Sequence, residues 1–395
     1  MSKSVGIVSE YNPFHTGHKY QINFLRKSGF DTIITAMSGS CVQRGTPAIF
    51  SKFDRAKMAL LNGVNLVCEI PFPFSCMSAE GYAMAGMQTL KAMNVDSICF
   101  GSESGDIKLL KSIAEYLLSN EYENSLNMYL KQKIPFAVAR EKAIFDKFDL
   151  DRNTVNASND ILAIEYIKAC IKLNWNPEII ALKRIGANYN QTSDKNGFAS
   201  ATGIRKMISE YRLDTVMNYI PKESQKTFIQ NLDRGSYFLP DEAFEKAVLF
   251  SLRKKNCSDF KKIIDCNEEL ANSFEKASSV AYSFDSLFEN LPTKRYTRAR
   301  LNRIILNSML DQYELPQNIQ YIRLLGFDSV GEQFLKKSSK TCPLPISHSI
   351  KILSEKNYDC KRIIMAESLA NDLQSAFFKI SSSPRSDFTS KLIKL

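Results

Sequence analysis

A chain of 395 residues exceeds the size at which a single core usually stops growing, so two or three domains are expected. Its nine cysteines are odd in number and scattered singly, which excludes a disulfide framework and points to reduced thiols in a cytoplasmic protein. No apolar stretch reaches membrane-spanning length and no signal-peptide core follows Met1, so no membrane association is expected; the net charge of +10, shared by both halves, invites a polyanionic partner.

In chain order, residues 5–8 form a β-branched run that suits a buried parallel strand, and Pro13 breaks it by holding Asn12 extended. A helix then starts near Thr16, with His15 and His18 in its first turn. Apolar runs at 32–36, 65–69, 97–100 and 178–182 predict further strands. Between them, 52–61 reads as a helix capped by Ser51 with Asp54 and stopped by Asn62-Gly63, and 78–93 and 159–173 read as helices lying on the sheet. This alternation predicts an α/β fold, a parallel sheet covered by helices over residues 1–220. Beyond Pro221 the alternation fades into helical segments at 241–255, 260–290 and 297–310, with a link around Pro292. After Pro316 come one short apolar run at 321–326 and a last helix near 358–378, so 221–395 is expected to be a mainly helical, basic domain.

The turn after the first strand carries the first chemical signal. In an open α/β sheet, the carboxyl end of a strand and the amino end of the next helix border the ligand crevice, where free N–H groups and the helix dipole favour phosphate. Gly17 would let a ligand approach the backbone, and His15 and His18 share one helical face from which Nε2–H groups could stabilise charge on a transferring phosphoryl group. The same pair could instead cap the helix, or belong to a metal site for which no third ligand lies near in sequence. The second signal is Phe198-Ala-Ser-Ala-Thr-Gly-Ile-Arg205, where Ser200 or Thr202 caps a helix and bonds an oxygen while Arg205 neutralises charge.

The His-x-Gly-His pattern resembles the signature of the nucleotidyltransferase superfamily, which includes class I aminoacyl-tRNA synthetases and cofactor adenylyltransferases, and implies a Rossmann-like nucleotidyltransferase parallel sheet. The segments Glu10-Tyr-Asn-Pro-Phe-His-Thr-Gly-His18, Met37-Ser-Gly-Ser-Cys-Val-Gln-Arg-Gly-Thr-Pro-Ala48 and Cys99-Phe-Gly-Ser-Glu-Ser-Gly-Asp106 narrow this. With Ser158-Asn-Asp160 and Lys183-Arg-Ile-Gly-Ala-Asn-Tyr-Asn190, they resemble the bacterial tRNA(Met) cytidine acetate ligase family. That resemblance implies activation of acetate by ATP, with Mg²⁺ on the triphosphate, to acetyl-adenylate and pyrophosphate. The acetyl group then passes to N4 of the wobble cytidine of elongator tRNA(Met). It implies catalytic roles for His15, His18 and Arg205. ATP contacts carry over to the turn formed by Ile7, Val8, Ser9, Glu10, Tyr11, Asn12, Pro13, Phe14, His15, Thr16, Gly17, His18, Lys19 and Tyr20, and to Gly101, Asn159, Arg184, Ser200 and Thr202. No resident metal site is implied.

Lys294, Arg295, Arg298, Arg300 and Arg303 fall within ten residues, with Tyr296 among them and no acid, an arrangement suited to phosphate contacts and base stacking of a tRNA. Glu10 and Glu103 are candidates for a general base, and Arg44 and Arg55 for facing acetate, phosphate or RNA. Two other readings remain: an adenylyltransferase acting on a small phosphorylated cofactor precursor, and a non-catalytic RNA-binding protein on the same fold.

Overall fold

The computed structural model describes residues 3–148, 158–184, 198–313 and 317–395. The five expected strands form β1 (Ser4–Ser9), β2 (Thr32–Ser38), β3 (Leu66–Ile70), β4 (Ser97–Ser102) and β5 (Glu178–Lys183), all parallel, in the order β3-β2-β1-β4-β5. Strand order reverses between β1 and β4. That switch point puts a crevice at the carboxyl ends of these two strands, where the first sequence signal lies.

Alternation along the strands explains why both faces are covered. Ile33, Val67 and Cys99 pack in one core with Ile22 and Leu25 of α1 (Thr16–Lys27) and Ala56 and Met58 of α2 (Lys52–Leu61). Their neighbours Ile34, Leu66 and Ile98 pack in another, with Leu90 of α3 (Ala79–Ala92) and Ile164 of α4 (Ser158–Lys172). The Ser200 motif opens the helix α5 (Ala201–Ser209), on the α1 side.

The second half does not fold apart from the sheet. The apolar run at 321–326 is β6 (Ile322–Phe327), which pairs antiparallel with β3, and β7 (Ile346–Ser347) and β8 (Ile393–Lys394) add to β6 to complete eight strands. A run buried on both faces needs a sheet on which to satisfy its backbone, and β3 offers the free edge. A separate helical core occupies the middle of the half, from Phe238 to Ile305, and includes α6 (Arg298–Met309). The segment expected as one helix over 260–290 is three, Cys257–Phe260, Glu268–Val280 and Phe284–Asn290, because Asn267 and Ser283 each cap a new start. The last long helix, α7 (Tyr358–Ala376), runs from the sheet core to the helical one, with Phe377 and Phe378 packing into the latter. Pro316 and residues 185–190 of the Lys183 segment lie outside the described residues. Among the described residues no helix is long and apolar enough to cross a membrane.

Candidate active site

The β1–α1 turn is built by reciprocal capping between the two histidines. His15 is the N-cap of α1: Gly17 N–H donates to His15 Nδ1 (3.1 Å) and His15 N–H donates to His18 Nδ1 (3.2 Å). The rings stack with centroids 3.7 Å apart. Because both Nδ1 atoms accept, the ring protons sit on Nε2, where they serve as donors. Burial, then the Arg184 and Arg205 guanidinium groups, push the His15 pKa down to about 3. Burial, then His15 and Arg184, hold His18 well below the usual histidine range. The pair is therefore neutral: two aligned N–H dipoles rather than imidazolium cations. Capping and ligand binding are thus not alternatives here, since capping is what fixes the tautomer. Gly17 has a reason other than ligand approach, for a Cβ there would lie 2.9 Å from His15 Cε1.

The second motif closes on the first across 193 residues of sequence. Arg205 donates to the Asn12 carbonyl (2.6 Å) and to Thr202 Oγ1 (3.1 Å), while Ser200 caps α5 through Gly203 N–H (3.0 Å). Gly101 and Leu182 are register partners on β4 and β5, and Arg184 N–H continues the ladder to the Ser102 carbonyl at 2.9 Å. A cavity of about 610 Å³ opens here, within the size range of small-molecule sites. Its wall takes Ile7 to Asn12, His15, Gly17, His18, Tyr20, Gly101, Asn159, Arg184, Ser200, Thr202 and Arg205. Pro13, Phe14, Thr16 and Lys19 are not on it: Phe14 is buried in the core, and Lys19 reaches back to the Asn62 carbonyl and Glu223.

Other candidates move for identifiable reasons. Arg55 faces no ligand: wholly buried, it donates to the carbonyls of Phe50, Glu10, Ser38 and Gly39, and burial pulls its pKa to about 10. Arg44 does line the cavity. Glu103 accepts from Asn159 Nδ2 and Asp160 N–H, so it secures the start of α4. Glu10 accepts from Gln43 N–H (3.0 Å) and stays on the cavity wall.

Sequence reading quoted Asp160 only within the Ser158-Asn-Asp160 segment and gave it no role; its buried carboxylate accepts from Ser102 Oγ and the Glu103 and Ser104 amides, tying the Phe100-Gly-Ser-Glu103 segment to α4. An acid in the first turn of an apolar helix, following a Ser-Asn pair, was the available signal.

The basic cluster is less free than its sequence suggests. Acids from the neighbouring helical segment meet it: Arg295 pairs with Glu269, and Arg300 and Arg303 both pair with Asp265 at 3.2 Å. Arg298 lies over the Phe288 ring, 3.2 Å from its centroid, and Lys294 is exposed. Thr297, Ala299 and Arg303 line the same cavity as the histidines.

A reversed-order parallel sheet with paired N-capping histidines and a returning Arg helix defines a nucleotidyltransferase, and the family model for HIGH nucleotidyl transferases matches residues 2–387. The tRNA(Met) cytidine acetate ligase of Caldicellulosiruptor bescii is 40% identical over 341 residues, 84% of each chain. Crystal structures of Thermotoga maritima TmcAL superpose with TM-scores of 0.92 without ligand (32% identity, 100% of this chain and 99% of that one) and 0.89 with alpha-thio ATP (30%, 100% of both). The chain belongs to the tRNA(Met) cytidine acetate ligase family.

Proposed function

We propose that the chain is an ATP-dependent ligase that activates acetate as acetyl-adenylate, releasing pyrophosphate, and acetylates N4 of the wobble cytidine of elongator tRNA(Met). The observation carrying this is the neutral His15–His18 pair, which with Arg184 and Arg205 shares the cavity wall at the β1/β4 switch point. Adenylation brings an anionic carboxylate to a triphosphate, so donors preorganised where charge builds on the leaving pyrophosphate lower the barrier, and neutral donors do so without a prior proton equilibrium. The relative bound to alpha-thio ATP supports the nucleotide assignment.

Mg²⁺ belongs with the triphosphate substrate. The described residues gather no set of three metal-ligating side chains, and phosphate oxygens with water supply the octahedral shell this ion favours. We assign the domains on the same basis: the sheet with its helices holds ATP, and the helical core with α6 meets the tRNA. The test is incubation with ATP, Mg²⁺, labelled acetate and tRNA(Met), then digestion to nucleosides. N4-acetylcytidine with stoichiometric AMP is expected, and AMP formed with no label in RNA would point to another acceptor.

A further inference from the structure

The cavity extends past the nucleotide turn toward α6, and this part of its wall has its own construction. Gly45 has φ +78, and a Cβ there would lie 2.4 Å from the Arg303 amide nitrogen, so the Gln43-Arg44-Gly45 loop lies flat against α6. Glu10 and Arg303 are thereby bound to one peptide unit pair. Gln43 N–H donates to Glu10 Oε1 at 3.0 Å, and Arg303 donates to the Gln43 carbonyl at 3.5 Å. Arg303 is only 6% exposed, and its buried Nε–H has no acceptor among the described residues. Arg303 lines the cavity, so a desolvated guanidinium, paired with Asp265 on one side and left with one unpartnered donor, stands beside the space a ligand would fill. Glu10 is the one carboxylate among the described residues lining that cavity.

We propose, resting on the ligase reading above, that Arg303 and Glu10 form the acceptor-base subsite, in which Arg303 donates to the O2/N3 edge of the cytosine and Glu10 faces its N4 amine. An RNA backbone phosphate fits poorly with a side chain this enclosed, whereas a single base turned out of its stack can enter a pocket. Charge for the triphosphate is already provided by Arg184 and Arg205. The neighbours of Arg303 on α6, Arg298 and Arg300, stand nearer the surface, so a nucleotide arriving across that face meets Arg303 on its way to the histidines. In the transfer step the N4 lone pair attacks the acetyl carbonyl carbon, the bond from that carbon to the adenylate oxygen breaks, AMP departs with the electron pair, and the N4 proton passes to Glu10.

The experiment separates the two half-reactions in the full-length protein. For Arg303→Lys, acetate-dependent ATP–pyrophosphate exchange should stay within about twofold of wild type, while single-turnover transfer from preformed acetyl-adenylate to saturating tRNA(Met) slows by about 10²-fold. Glu10→Gln should slow transfer at saturating tRNA(Met) similarly. A raised KM for acetate in the exchange assay would make Arg303 the carboxylate holder and overturn the subsite. So would a raised Kd for tRNA with unchanged transfer at saturation, the mark of a phosphate contact. A test that needs no variant uses wild type with tRNA carrying 2-thiocytidine at the acceptor position: slower transfer at unchanged exchange is expected, and an unchanged transfer rate would overturn the assignment. Absence of acetate-dependent exchange in wild type would sink the ligase reading itself, and the subsite with it.

Discussion

Two polar clusters near the carboxyl ends of the central strands treat charge in opposite ways. At the β1–α1 turn, two buried imidazoles are kept neutral and present N–H groups to a cavity. In the interior, Lys52 sits fully buried against Glu69 (2.6 Å), Glu367 and Asp387 (both 2.9 Å), and Arg323 pairs with Glu69 (3.2 Å) and Asp387 (2.8 Å). Burial alone would lower the Lys52 pKa, and the surrounding carboxylates more than reverse that against Arg323. Lys52 and Glu69 come from the first half of the chain; Arg323, Glu367 and Asp387 come from the second. The ionic cluster, beside the β3–β6 pairing, is one of the places where the halves are joined. α2 links the two regions, since Lys52 enters the cluster while Arg55, three residues on, holds the carbonyls of Glu10, Ser38 and Gly39 behind the turn. Paired charge here builds the frame, and the turn instead presents neutral rings to the cavity.

Removing the cluster's centre should break this comparison most. Lys52→Met leaves three buried carboxylates without their common partner, and a loss of about 3–5 kcal/mol is expected from the urea midpoint. A loss below about 1 kcal/mol would mean that the cluster does not help to join the halves. At the turn the large effect should be catalytic instead. His18→Ala is expected to reduce acetate-dependent ATP–pyrophosphate exchange by about 10²–10³-fold while tRNA affinity is retained. Equal losses in exchange and in tRNA binding would give the ring a folding role.

Acid distinguishes the regions by sign and window. The folded-state pKa values of His15 and His18 lie below the unfolded value of 6.5, so the unfolded chain binds more protons beneath that pH. Their contribution is present above pH 6.5 and is lost as pH falls, at up to about 1.4 kcal/mol per pH unit for each ring. Burial would raise the Asp387 pKa, but Lys52 and Arg323 bring it to about 2, so its contribution persists above 3.8 and is lost only as pH falls toward 2. Stability measured from pH 6.5 to 4.5 should therefore fall more steeply in wild type than in a His15→Gln/His18→Gln double variant. Parallel curves would mean that the rings are not held neutral.

What was legible in the sequence follows the range of the forces involved. The five parallel strands and the helices α1, α2 and α5, capped by His15, Ser51 and Ser200, rest on local periodicity and on side-chain caps, which are written in short windows. Three features depend on residues distant in the chain: β6 joining β3, the Arg55 carbonyl bridge, and the burial of Arg303. Lys52 looks like an ordinary surface cation of an amphipathic helix, and Arg55 like one that faces a ligand, until Glu367 and the strand-end carbonyls are in place. The five cations from Lys294 to Arg303 carry no acid in their own window, and the compensating Glu269 and Asp265 lie more than twenty residues away.

The smallest expected effect belongs to the outer basic face. Arg298→Ala with Arg300→Ala removes two cations that would each displace roughly one counterion from bound RNA, lowering the slope of log K against log salt by about 0.7 per contact. Both already have intramolecular company: Arg300 is paired with Asp265, and burial against Phe288 lowers the Arg298 pKa. Binding tRNA then exchanges one partner for another, so the gain per arginine is less than for a free side chain. Truncating Arg300 also leaves Asp265 to Arg303 alone. The double variant should weaken tRNA(Met) binding severalfold at low salt, reduce the slope by less than about 1.4, and leave acetate-dependent ATP–pyrophosphate exchange unchanged. A normal Kd and slope would take Arg298 and Arg300 off the RNA path.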